Sequence, residues 1–374
     1  MNLFRVCAEQ LNVGKPLPWN VFNEQSQLLL SKGYTLRDHE QLDALLQRGM
    51  FVDQGDFDQH QRTAQQDARR HDPSQLWQWV QGRLGSLLNA AEPTEGWSHD
   101  LHEVADEVNW AMTDQREPSL FETLAKDDPR EYAVAHAMQT AFLSCLVGER
   151  MGWSEDERRR LTHAALTMNV GMNALQTQLT NQLGPLSSQQ RDAVRDHGRT
   201  SRAWLERAGI TDRDWLHAVE HHHVTPNGGA LTEHAKQAGD LACMMHYNDV
   251  YLAKISARAS RAALPSHVAS RTLFMQADGQ RNPFVSSLIK ELGIYPPGSC
   301  VKLANGETGV VVQRGEAAHL PKVCSLLDPV GRAFPEPVRR DTALAPFKVV
   351  DALPRGALAK RLPTSRRLQE AVAG

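Results

Sequence analysis

The chain has 374 residues, 41% of them hydrophobic, enough to fill the cores of roughly two or three domains. Its 41 basic and 44 acidic side chains leave a formal net charge of -3, which excludes bulk attraction to a nucleic-acid polymer or a membrane surface. Five cysteines without a Cys-x-x-Cys pair exclude a disulfide framework and a zinc ribbon, and no apolar run is long enough to span a bilayer. With no signal-peptide pattern at the start, the expectation is a soluble cytoplasmic protein.

In chain order, Leu17 to Leu30 alternates apolar and polar residues around Asn23-Glu24-Gln25-Ser26, which predicts a small hairpin. Thr35 is placed to cap a helix carrying Leu42, Leu45 and Leu46 and ending near Gly49, so residues 1–53 read as an N-terminal α+β module. Residues 54–73 are polar, with too few apolar side chains for a core, and read as a linker. Residues 74–119 read as a helical connector: one helix with Trp77, Val80, Leu84, Leu87 and Leu88 at helical spacing, then another over Leu101 to Met112.

From 120 to 297 the periodicity is helical, punctuated by the capping boxes Ser154/Glu157 and Ser187/Gln190 and by Gly209 as a helix stop. Residues 298–350 change to β-type segments, Cys300 to Leu303 and Gly309 to Val312, separated by Asn305-Gly306. The basic stretch 351–374, with Arg355, Lys360, Arg361, Arg366 and Arg367, reads as a solvated terminus. The fold class is therefore mainly α, with a small α+β module before the helical domain and a small β appendage after it.

Sixteen histidines are many for this length, and several gather between His217 and His246. Helical phasing turns some of them inward. His197 follows Val194 on the face that Ser201 and Leu205 continue; His222 extends the stripe of Trp215, Ala218 and Val219, with His221 beside it. Asp249 falls on the stripe of Leu241, Met245 and Leu252, and His136 opens a helix with Val134, Met138, Phe142 and Cys145. Each alone is explained by a hydrogen-bonded core residue. Together, neutral imidazoles and a carboxylate from four helices are a donor set suited to Fe, Mn, Zn or Ni.

The order of these residues resembles the HD-GYP family, bacterial metal-dependent phosphodiesterases of the HD superfamily that hydrolyse cyclic di-GMP. The likeness spans roughly residues 120 to 330. It rests on His136 in Tyr132-Ala133-Val134-Ala135-His136, on His197 before Gly198, and on the pair His221-His222. It rests further on Asp249 in Asn248-Asp249-Val250-Tyr251, on Arg258 and Arg261 after it, and on Tyr295-Pro296-Pro297-Gly298-Ser299. The resemblance implies an HD-superfamily helical domain, His136, His197, His221, His222 and Asp249 as metal ligands, and Arg258 and Arg261 as phosphate contacts.

Two signatures are broken. Where the family has His-Asp-Ile-Gly-Lys, this chain has Met168-Asn169-Val170-Gly171-Met172, and its Gly-Tyr-Pro element is Gly229-Ala230-Leu231. Met168 lies seven residues after Leu161 and so points to the interior the family's histidine would occupy. The resemblance makes the missing aspartate the bridge between two ions, so one ion or none is expected here rather than two. His163, five residues before Met168, is turned away from it.

The expectation is a degenerate member that binds cyclic di-GMP or signalling proteins such as diguanylate cyclases, with lost or weak turnover. Two alternatives stand beside it: an active phosphohydrolase with an incomplete, single-ion site, and a metal-free helical scaffold for protein contacts.

Overall fold

The computed structural model describes residues 2–7, 10–47, 49–125, 131–223, 233–277, 281–354, 357–358 and 361–373, with residues 233–238 described by backbone alone. It divides the chain into two compact units, Met1–Asp72 and Pro73–Gly374.

In the first unit, β1 (Leu3–Arg5), β2 (Val21–Phe22), β3 (Leu28–Leu30) and β4 (Phe51–Asp53) form an antiparallel sheet in the order β1-β4-β2-β3. The β2–β3 turn is closed by Asn23, whose Oδ1 accepts from the amides of Gln25 and Gln27 at 3.1 and 2.8 Å. Helix α1 (His39–Gln47) starts later than Thr35 predicts. Thr35 is paired with Pro16 in a β-bridge, and the oxygen of Asp38 takes the amide of Gln41 at 2.8 Å instead.

Residues 54–73, read from sequence as a linker, mostly form α2 (Gln54–Arg70), capped by Asp53. No residue of this helix is fully buried, and Phe57 anchors it, with ring contacts of 4.7 Å to Phe4 and 5.1 Å to Trp19. A capped, polar helix needs few apolar residues when one aromatic ring reaches an existing core.

The second unit begins with α3 (Pro73–Leu88), α4 (Trp97–Asp114), α5 (Arg116–Ala125), α6 (Tyr132–Arg150) and α7 (Glu155–Thr167). A 3-10 turn at Val170–Met172 leads to α8 (Asn173–Thr180), α9 (Ser188–Arg207), α10 (Arg213–His221), α11 (Glu233–Ile255), α12 (Ser266–Gln276) and α13 (Pro283–Leu292). Both predicted capping boxes form, and Gly209 stops α9 at φ +83°.

One hydrophobic core runs through these helices from Leu76 to Leu292, so residues 74–119 pack into the same core as the helical domain that follows them. Helix α6 lies in its middle and is buried on nearly every face. That explains its lack of a polar stripe.

Strands β5 (Cys300–Leu303), β6 (Thr308–Gln313), β7 (Lys322–Leu327), β8 (Ala333–Asp341) and β9 (Val349–Leu353) make an antiparallel sheet ordered β8-β7-β6-β5-β9. The terminus read as solvated instead carries α14 (Ser365–Ala373), whose Leu368 and Val372 are buried with Phe121, Val310, Val312 and Cys324. Leu368 and Val372, one turn apart, give the basic segment an apolar face. Its arginines stay outside, with Arg367 paired to Glu336 at 2.5 Å. No helix among the described residues is long and apolar enough to cross a membrane.

Candidate functional site

Helices α9 and α10 approach each other at a glycine. A Cβ on Gly198 would stand 2.5 Å from the carbonyl oxygen of Glu220, so only glycine lets the two backbones come this close. Arg202 on α9 adds an ion pair to Glu220 at 2.6 Å. The contact places His197 opposite the end of α10, where the chain leaves the helix at His222.

His197 and His222 are 3% and 1% exposed. The Nδ1 of His197 lies 2.6 Å from the carbonyl of Val194, and that of His222 lies 2.7 Å from the carbonyl of Val219. A ring nitrogen facing a carbonyl carries the proton, so both Nε2 atoms present lone pairs, and they are 3.1 Å apart. Two such lone pairs repel unless a proton or a cation lies between them. Burial pushes the pKa of His222 down to about 3, and the neighbouring His223 and His197 push the same way. Burial also lowers the pKa of His197. A shared proton is therefore disfavoured at neutral pH, whereas two imidazoles on one ion at about 2.0–2.1 Å have their nitrogens roughly 3 Å apart.

His223 completes the cluster. Its ring is 5.0 Å from that of His197 and 4.3 Å from that of His222, and ligand nitrogens of all three lie within 4.8 Å of one another. Its ring is exposed on one side, and desolvation on the other lowers its pKa as well.

Asp249 on α11 supplies the negative charge. Burial would raise its pKa, but the hydrogen bond from His136 and the fields of His136, His223 and His222 hold it below the usual carboxylate range. The His136 Nε2 to Asp249 Oδ1 distance is 2.5 Å. Nearby, the amide nitrogen of Asn248 donates to Ser144 Oγ at 2.9 Å and ties α11 to α6.

The predicted site residues thus separate into those the fold gathers and those it does not. His136, His197, His222 and Asp249 converge. His221 turns away, stacked on His217 with ring centroids 4.2 Å apart and its Nδ1 on the His217 carbonyl. His223, which helical phasing passes over, takes its place, because α10 ends at His221 and helical directions no longer apply beyond it.

Arg258 and Arg261 are not on one helix: α11 ends at Ile255, and the two residues face each other across a short antiparallel bridge. Arg258 Nη2 donates to the Tyr132 hydroxyl at 2.9 Å, and its guanidinium sits 5.2 Å from the Tyr132 ring centroid. Tyr132 in turn stacks on His136 at 5.2 Å. Arg261 folds back onto the carbonyl of Ala253.

Met168 and Asn169 lie inside the protein. Met168 is 0% exposed and belongs to the main core, while Asn169 is 7% exposed and its Oδ1 is buried without a hydrogen-bond partner among the described residues. The following turn is pressed onto α9, where a Cβ on Gly171 would stand 2.6 Å from the Ser201 amide nitrogen. A thioether and a neutral amide do not fit a hard divalent ion, whereas three imidazoles with a carboxylate do. Gly229-Ala230-Leu231 lies outside the described residues.

His163 belongs elsewhere: its Nε2 is 2.6 Å from His102 Nδ1, its Nδ1 is 2.7 Å from the Arg159 carbonyl, and its ring lies 5.1 Å from Trp215. Burial pushes its pKa down to about 4, against an ordinary value of 6.5. The unfolded chain therefore takes up a proton below pH 6.5 that the folded chain refuses. Stability should fall as pH drops from 6.5 toward 4, with His163 contributing up to about 1.4 kcal/mol per pH unit. Urea titrations in chelator at several pH values check this, since His163→Gln should flatten the slope relative to wild type.

No family model matches the chain. It is similar to the cyclic di-GMP phosphodiesterase PA4108 of Pseudomonas aeruginosa, with 24% identity over 246 residues, 64% of this chain and 57% of that protein. The chain therefore aligns with little more than half the length of this relative. Among solved structures it is similar to Bd1817, an HDG"Y"P protein from Bdellovibrio bacteriovorus, at 15% identity and a TM-score of 0.49, covering 77% of this chain and 98% of that one. The order of its motifs and the aligned relative give the chain a likeness to cyclic di-GMP phosphodiesterases of the HD-GYP type.

Proposed function

We propose that the chain is a binding or regulatory protein of cyclic di-GMP signalling in the cytoplasm, holding one divalent transition ion and having lost most or all phosphodiesterase turnover. The observation that carries the ion is the pair of Nε2 atoms of His197 and His222, 3.1 Å apart with both Nδ1 atoms committed to carbonyls. His197, His222 and His223 would hold it, and Asp249 would offset its charge. A bound ion of this kind supplies Lewis acidity toward a phosphate oxygen.

The remaining residues support binding better than hydrolysis. His136 keeps the Asp249 carboxylate oriented, and Tyr132 steadies Arg258, whose charge suits a phosphate. Asn169 brings no negative charge to offset a second ion, and Met168 fills its volume with packing atoms. Without the second ion, no clamp acts on both the attacking and the leaving oxygen of an in-line displacement.

Equilibrium dialysis with cyclic di-GMP, followed by chromatography of the recovered nucleotide after incubation with Mn or Fe, tests this reading. The expected result is nucleotide bound and recovered intact, with binding weakened roughly tenfold or more in Arg258→Ala through loss of a charge-assisted contact. Turnover that disappears in Asp249→Asn would instead establish an active single-ion phosphohydrolase. Neither metal nor nucleotide bound would leave a protein-contact scaffold.

A further inference from the structure

Three histidines and one aspartate do not exhaust the donors around this site. His246 lies three residues before Asp249 on α11, on the same side of the helix. It is half-buried, and its Nδ1 lies 2.9 Å from the carbonyl oxygen of His222. That bond crosses from α11 to the end of α10, unlike the bonds of His197 and His222, which close onto carbonyls three residues back in their own helices. It fixes the proton on Nδ1 and leaves the Nε2 lone pair free to act as a ligand.

The ring of His246 stands perpendicular to that of His223, with centroids 6.0 Å apart. Two imidazoles bound through Nε2 to one ion at about 2.0–2.1 Å have centroids roughly 5–6 Å apart, so a small closing motion of an exposed His223 brings both onto a common ion. The pairs of His197 with His222 and with His223, each at 5.0 Å, already have that separation.

We propose that His246 is a further protein ligand of the ion held by His197, His222 and His223, so that four imidazoles with Asp249 make up its protein ligand set. The inference rests on the ion site proposed above. His246 would supply from α11 a donor that Met168-Asn169 do not. Five protein donors leave an ion of six positions one open, enough to polarise a phosphate oxygen but too few to hold an attacking hydroxide beside it. It also joins α9, α10 and α11 through one point.

Cobalt(II) titration of the full chain, with affinity set by chelator competition and coordination read from the visible spectrum, tests the assignment. His246→Asn keeps a side-chain N–H where Nδ1 stands, and so keeps a donor for the His222 carbonyl, but it removes Nε2. The expected result is cobalt affinity reduced roughly tenfold or more, the scale on which even supporting residues of metal sites act, together with a changed visible band. His246→Gln, which loses the donor and offers a weaker ligand, should lose affinity too and serves if the asparagine variant does not fold. Wild-type affinity and an unchanged spectrum in a folded variant would overturn the role of His246 while leaving the three-histidine site intact. Absence of cobalt binding by the wild-type chain would overturn both.

Discussion

Replacing His222 by alanine is expected to lower the zinc affinity of the full chain by roughly 100-fold, equivalent to about 2.7 kcal/mol. His222 is 1% exposed, its Nε2 is 3.1 Å from that of His197, and its own Nδ1 is locked to Val219, so the nitrogen is held in place before any ion arrives. Pre-organisation of this kind is what makes one ligand expensive to lose. His221→Ala provides the contrast. Its ring is stacked on His217 outside the cluster, and zinc affinity should stay within about twofold of wild type, the few tenths of a kcal/mol usual for independent sites. Competition with a chromophoric chelator measures both. Equal losses in the two variants would place the family's histidine pair at His221-His222, as the sequence order suggests, and contradict the rings seen here.

The second large effect is expected at Gly198. In Gly198→Ala the new methyl would meet the Glu220 carbonyl oxygen at 2.5 Å, its carbon at 3.1 Å and the Val219 oxygen at 3.2 Å, all main-chain atoms that cannot rotate away. Relief requires α9 and α10 to separate, at a cost of about 1–3 kcal/mol for an overpacked contact, and here toward the upper end. The same separation pulls His197 from His222 and disturbs Val219, which orients His222. Urea unfolding in chelator should therefore show the destabilisation, and a zinc titration should show weaker binding. Gly82 in α3 has open space where a Cβ would go, and alanine there should stabilise by about 0.5–1 kcal/mol. A neutral Gly198→Ala would mean that α9 and α10 do not approach this closely.

Periodicity made much of the helical fold legible. The phase of Val194 and Leu205 turns His197 inward, and that of Met245 and Leu252 turns Asp249 to the same interior, because a buried stripe fixes direction for every residue of its helix. That logic stops where a helix stops. Phasing continued through α10 makes His221 and His222 the pair, yet the helix ends at His221 and the turn swings His223 into the cluster. His246 carries no apolar signal, since it is half-buried on the flank of its stripe and is revealed by a bond to the main chain of another helix. Arg258 and Arg261 look like a helical pair by spacing, but their backbones bridge each other in a turn, which local sequence does not announce.

Composition misled at two segments for a common reason. Residues 54–73 and the basic terminus are too polar to build cores of their own, but each packs on a core made elsewhere. Phe57 does this for α2, and Leu368 with Val372 for α14. A helix that borrows a core needs only one or two apolar contacts, fewer than a composition window detects. Met168 is the opposite case. Its spacing from Leu161, Ala164 and Ala165 places it inside, and it is fully buried in the core that those residues share.

The most direct test is the metal content of the 374-residue chain purified without a histidine tag and dialysed against excess zinc, then against buffer. With three imidazoles gathered and Met168-Asn169 offering no carboxylate or imidazole, close to one ion per chain is expected, falling toward zero in His222→Ala. Two ions per chain would contradict the proposal of a single ion, and none in the wild-type protein would contradict the site itself.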